Sequence, residues 1–128
     1  MATDEYQGQT RIPGLVCGTT SLAANQYKFV KFGATAGQIA VASAKTDKII
    51  GVLQNDPAAG EPAIVCAVGV SKVISSGSVT VGTLLTSNST GQAADSSSAN
   101  DRVCGFALAA DSTATNIVRM FVNCGGNF

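Results

Sequence analysis

From Tyr27 onward, short apolar runs alternate with glycine, proline and small polar residues. Tyr27-Lys-Phe-Val-Lys-Phe32, Gln38-Ile-Ala-Val41, Ile49-Ile-Gly-Val-Leu53, Ala63–Val70, Arg102–Leu108 and Asn116–Val122 each have the length and the Val/Ile/Leu content of a β-strand. Asn55-Asp56-Pro57 and Ala59-Gly60-Glu61-Pro62 supply turns, because proline fixes φ and glycine tolerates positive φ. No window carries the 3.6-residue period. At most Ser21–Gln26 or Gly91–Ala94 makes a single helical turn. The pattern predicts an all-β domain of eight to ten short strands over 27–122, as a small barrel or paired sheets.

One arrangement occurs twice. Thr35-Ala-Gly-Gln-Ile-Ala-Val41 leads through a polar tip to Ile49–Leu53, and Thr80-Val-Gly-Thr-Leu-Leu-Thr86 leads through a longer tip to Arg102–Leu108. Each copy reads as a Thr-x-Gly turn, a strand, a hairpin tip and an apolar-x-Gly-apolar strand. This predicts two interleaved β units with pseudo-symmetry. The second tip, Ser87–Asp101, is mostly polar and is expected to be an exposed, flexible loop.

Residues 1–26 have another character. Arg11-Ile-Pro-Gly14 is a turn and Leu15-Val-Cys17 a lone apolar patch. This is too little to form a core element, so 1–26 is expected to be an extended arm, 27–122 the domain and 123–128 a tail. Arg11, Ile12, Pro13, Leu15 and Val16 are the candidate interface residues, adding to the sheet edge or groove of a neighbouring subunit. On this reading, removing residues 2–18 leaves the fold nearly unchanged.

Composition narrows the function classes. The 128 residues form one domain, and charged residues are 12%, with eight basic and eight acidic side chains. Such a surface offers no attraction to phosphate backbones and little repulsion between copies. With a mean hydropathy of +0.26, the chain is expected to have much of its surface covered by partners, itself included. No charged segment followed by an apolar run opens the chain, and no apolar run approaches the ~20 residues of a membrane span. Synthesis in a reducing cytoplasm is therefore expected.

No histidine is present, which removes every triad that uses imidazole as its base. Cys17, Cys66, Cys104 and Cys124 have no metal-ligand spacing. Cys66 and Cys104 read as buried, while Cys17 and Cys124 read as the accessible pair, able to bridge on oxidation. Gly77-Ser-Val-Thr-Val-Gly82 has phosphate-loop glycine spacing, but Thr83 replaces the required lysine, so the segment reads as a strand between turns. Asp56 and Glu61 sit in a Pro/Gly turn and read as structural. Lys28 and Lys31 alternate with the aromatics of Tyr27–Phe32 on both strand faces, which argues for a core strand over a nucleic-acid platform. No catalytic, metal or cofactor site is expected, nor a nucleic-acid, membrane or small-molecule partner. A carbohydrate-binding or host-surface adhesion module is the rival class. The absence of Trp and the presence of only Tyr6 and Tyr27 weigh against it.

Ala36-Gly-Gln-Ile-Ala-Val41, Gly51-Val-Leu53, Ala58-Ala-Gly-Glu-Pro62 and Val68-Gly-Val70, in this order and spacing, resemble the small capsid decoration (cement) proteins of tailed bacteriophages. The resemblance runs from about Tyr27 to Val122 and is strongest over 36–73. It implies a β-tulip-like all-β fold and a non-enzymatic role on the outer surface of the phage head. It also implies the major capsid protein as partner, bridging of neighbouring capsid subunits, and self-association as a homotrimer, with a dimer as second choice.

Overall fold

The computed structural model describes residues 9–98 and 100–127. Ten strands form one mixed sheet: β1 (Thr10–Ile12), β2 (Val16–Cys17), β3 (Phe29–Phe32), β4 (Gln38–Val41), β5 (Ile49–Leu53), β6 (Val65–Ser78), β7 (Leu85–Ser87), β8 (Ala93–Asp95), β9 (Arg102–Ala107) and β10 (Ile117–Asn127). Neighbours along the main path run β2-β4-β3-β5-β6-β10-β9, with β1 and β8 also on β6 and β7 on β8. The β2–β4 and β6–β8 pairs are parallel and the others antiparallel. The all-β class stands, and the sheet is open where a closed barrel was one option.

The fourteen-residue β6 is the spine. It joins what reads in sequence as an apolar run and a separate Gly77–Gly82 strand. Gly77 and Ser78 instead end β6, and 79–82 is a connection carrying a Val79–Asp111 bridge and the Gly82 turn. Two groups of buried side chains flank the sheet. Phe29, Ile49, Val52, Cys66, Val73, Leu85, Cys104, Met120 and Val122 belong to the larger. Leu15, Cys17, Leu22, Val30, Ile39, Leu53, Ala63 and Val65 form the second.

The repeat is physical. Gly37 (φ 81°) and Gly82 (φ 78°) take the same place in equivalent turns, with Gln38 N–H donating to Thr35 O and Thr83 N–H to Thr80 O, both at 3.1 Å. Each hairpin tip is then closed by an aspartate. Asp47 Oδ2 accepts the N–H of Ser43 (2.8 Å) and Ala44 (3.0 Å), and Asp101 Oδ2 accepts those of Ser97 (2.9 Å) and Ser98 (3.0 Å). Four residues beyond each aspartate lies a glycine against another strand's backbone. A Cβ on Gly51 would collide with Cys66 O, and one on Gly105 with Phe121 O.

Two expectations change here. The described part of the arm, 9–26, belongs to the domain. Leu15, Cys17 and Leu22 are buried with the second core group. The segment's backbone is satisfied within the chain: Val16 N–H donates to Gly37 O, Cys17 N–H to Glu61 O, and Ala63 N–H to Leu15 O. Residues 1–8 lie outside the described residues, as does residue 128 of the expected tail. The Ser87–Asp101 tip, of which Ala99 is likewise outside, is structured. It carries the end of β7 and all of β8, and Ser87, Gly91, Ala93 and Asp101 are buried.

Candidate functional site

The five residues singled out in sequence meet in one place. Arg11 and Ile12 lie on β1, opposite Cys66 and Val65 of β6. Pro13 turns the chain outward, and Val16 bridges to Pro62. With Gly14, Ala63 and Ile64, they line an open groove of about 470 Å³. Arg11 and Pro13 are exposed, whereas Ile12 and Val16 are half-buried. Leu15 departs from expectation: at 7% exposure its side chain belongs to the chain's own core and is not offered to a neighbour. The accessible groove is thus apolar, widened by Ile64 and rimmed by Arg11, whose Nε donates to Gln9 Oε1 at 3.0 Å.

A larger apolar surface escaped the sequence reading. On β10, Val118, Met120 and Val122 point inward, while Ile117, Arg119 and Asn123 are exposed and Phe121 half-buried. Phe121 is in register with Phe106 of β9, and their rings stack with centroids 5.4 Å apart. Leu84 bridges to Phe106, and Leu108 N–H donates to Arg119 O. Phe106 (40% exposed), Leu108 (37%), Leu84 (36%), Ile117 (52%) and Val81 (61%) therefore leave much apolar area in water. Partly exposed apolar side chains gathered on one part of a fold, as Phe106, Phe121 and Leu84 are, mark association surfaces. In Ile117–Val122 only Arg119 is polar, so the alternation of buried and exposed positions could not be read from residue type.

Other concavities offer little chemistry. A cleft of about 320 Å³ between 18–25 and β4 has no charged side chain in its lining. A smaller one, about 180 Å³, gathers Gln9, Arg11, Tyr27, Gln54 and Lys72. There Lys72 Nζ sits 5.7 Å from the Tyr27 ring centroid, and Gln54 Nε2 donates to Ser71 Oγ at 2.8 Å. Among the described residues no group of three or more Cys, Asp or Glu is placed to hold a metal ion. Asp56 is exposed, and Glu61 Oε1 accepts the Ala58 N–H at 2.8 Å, a turn-closing role.

Two of the charged groups with perturbed acidity serve the tips. Burial opposes the charge on Asp101, but the N–H groups of Ser97 and Ser98, the Ser96 hydroxyl and Lys45 outweigh it, and its carboxyl stays below the usual 3.8. Asp47 is likewise opposed by partial burial and held below 3.8 by Ser43 and Lys31. Neither is among the residues that line the three concavities described above.

The cysteines also differ from expectation in part. Cys66 and Cys104 are buried, and so is Cys17, whose Sγ–H donates to Thr20 O at 3.1 Å. Cys124 alone is partly accessible. It packs against the larger core group, whereas Cys17 belongs to the other, so the two are not neighbours.

Among curated proteins, none matches the sequence. The crystal structure of the head fiber gp8.5 N base in bacteriophage phi29 is similar in fold, with a TM-score of 0.69 over 93% of this chain and 98% of that one, at 15% identity. The family model for phage cement proteins matches residues 15–122. It begins at Leu15, twelve residues before the expected start, in accord with the burial of Leu15, Cys17 and Leu22. The chain belongs to the phage cement protein family.

Proposed function

We propose that this protein binds the outer surface of an assembled phage head, bridges neighbouring major capsid subunits and stabilises the DNA-filled shell, without enzymatic activity. The family match over 15–122 carries this reading and supports a structural role in the capsid. Bridging requires two separate surfaces, and the fold offers two. The outward face around Phe106, Phe121 and Ile117 is assigned to self-association, as a trimer first and a dimer second. Its stacked rings suit the apolar centre of an interface between copies. The formal net charge of zero adds no like-charge penalty. The Arg11–Val16 groove is assigned to the major capsid protein. An oligomer touching several capsid subunits gains effective concentration at each further contact, so weak single contacts suffice.

The test is heat-induced DNA release from heads lacking this protein, followed with a DNA-binding dye, before and after adding it back. Release shifted to higher temperature is the expected result. An unchanged release curve despite bound protein would remove stabilisation from the account.

A further inference from the structure

Cys104 and Cys124 face each other across two paired strands. In the β9–β10 ladder, Gly105 is opposite Val122 and Val103 is opposite Gly126, so Asn123, Cys124 and Gly125 form a bulge against the single residue Cys104. Cys124 stands at the centre of that bulge. Its Sγ–H points at the Cys104 carbonyl oxygen, 3.8 Å away. Both cysteines are free thiols, Cys104 fully buried and Cys124 partly accessible. The two side chains are neighbours, with the thiols within hydrogen-bonding reach of each other, and a disulfide spans Cα atoms about 4.4–6.8 Å apart.

We infer that Cys104 and Cys124 are the two halves of a cross-strand disulfide that closes when the folded protein meets a disulfide oxidant such as oxidised glutathione. The accessible Cys124 thiolate attacks one sulfur of the oxidant and displaces a glutathione thiolate, leaving a mixed disulfide. The Cys104 thiolate then attacks the Cys124 sulfur and displaces the second glutathione. The protein gives up two electrons and two protons, and the oxidant becomes two thiols. The product ties the final strand to the sheet, a crosslink that a protein made under reducing conditions acquires only on reaching an oxidising medium. Burial, then the neighbouring Cys124, pushes the Cys104 thiol well above 9. The second step therefore quickens with rising pH. Cys66 is the poorer partner by position, since it lies on β6 and not across the bulge.

The experiment is incubation of the native full chain with oxidised glutathione at pH 7 and 9, then alkylation, tryptic digestion and mass spectrometry. Cleavage after Lys and Arg puts each cysteine on its own peptide. The expected product is lighter by about 2 Da, links the Val103–Arg119 peptide to the Met120–Phe128 peptide, forms faster at pH 9 and has a higher Tm than the reduced protein. Cys124→Ser should abolish the linkage, while Cys66→Ser and Cys17→Ser keep it. A Cys124 that remains glutathionylated with Cys104 alkylated, or a link from Cys124 to Cys66 or Cys17, would overturn the inference.

Discussion

Lys45 and Asp101 belong to the tips of different repeat units, and their Nζ and Oδ1 atoms lie 3.5 Å apart. Around that pair the tips are stitched together: Lys45 Nζ donates to Ser98 Oγ (2.9 Å), and Lys45 O accepts from Arg102 N–H (2.7 Å) and from Thr86 Oγ1 (3.2 Å). Asp101 is almost wholly buried, whereas Lys45 is half-exposed. The aspartate's value thus lies in the N–H groups it accepts. The ion pair adds less.

Asp101→Ala should therefore destabilise the fold by about 3 kcal/mol, because it removes the buried carboxylate that accepts from the Ser96 hydroxyl and the Ser97 and Ser98 N–H groups. Asp47→Ala, at a more open tip, should cost about 1 kcal/mol. Lys45→Ala should cost less than about 1 kcal/mol, as for an exposed ion-pair member. Urea unfolding of the three variants gives the ranking. A loss at Asp47 equal to that at Asp101 would contradict it.

Stability should also fall in acid with an identifiable slope. Asp47 and Asp101 are held below 3.8 when folded, so the unfolded chain binds their protons first as pH drops. Their contribution is whole above the unfolded value and is lost as pH falls through the folded ones. Melting temperatures between pH 6 and pH 2 should show this decline, shallower in Asp101→Asn. An identical acid limb in that variant would show that Asp101 does not set it.

The paired glycines separate two physical causes. Gly37→Ala meets open space and should cost about 1 kcal/mol, the strain of positive φ alone. Gly105→Ala combines φ 129° with a collision against Phe121 O and should lose at least about 3 kcal/mol or fail to fold. Thermal melts of the two purified variants decide. Equal losses would mean that strand β10 yields.

These glycines and aspartates mark what was legible in sequence. Thr35-x-Gly37 and Thr80-x-Gly82 encode the same turn, so the two units could be read from order alone. The role of Leu15, Cys17 and Leu22 could not, since three apolar residues scattered among Gly and Thr show no period. Their burial depends on a surface made by Val30, Ile39 and Val65, far along the chain. The buried Asp101 was hidden for a related reason: a polar tract reads as solvated unless its hydrogen-bond acceptor is known. Within the groove, Arg11 through Val16 were found as a cluster, but not Pro62–Ile64, which only the fold brings beside them.

The arm's integration reverses one expectation about deletion. Leu15→Ala should cost about 2–4 kcal/mol as a core truncation, so loss of residues 2–18 should lower Tm sharply. Arg11→Glu and Pro13→Ala, both exposed, should leave Tm nearly unchanged while weakening attachment to heads. Unaltered attachment by both would move the capsid contact elsewhere on the domain.

Self-association is checked by light scattering. The protein should elute as a multiple of 12.8 kDa, and Phe106→Asp combined with Ile117→Asp should shift it to the single-chain mass with its circular dichroism spectrum retained. A wild-type monomer would refute the assignment of that face.

The most direct measurement is co-sedimentation of purified protein with DNA-filled heads that lack it. The account predicts saturable recovery in the pellet at a fixed number of copies per capsid subunit. Protein that stays in the supernatant at every concentration would contradict it.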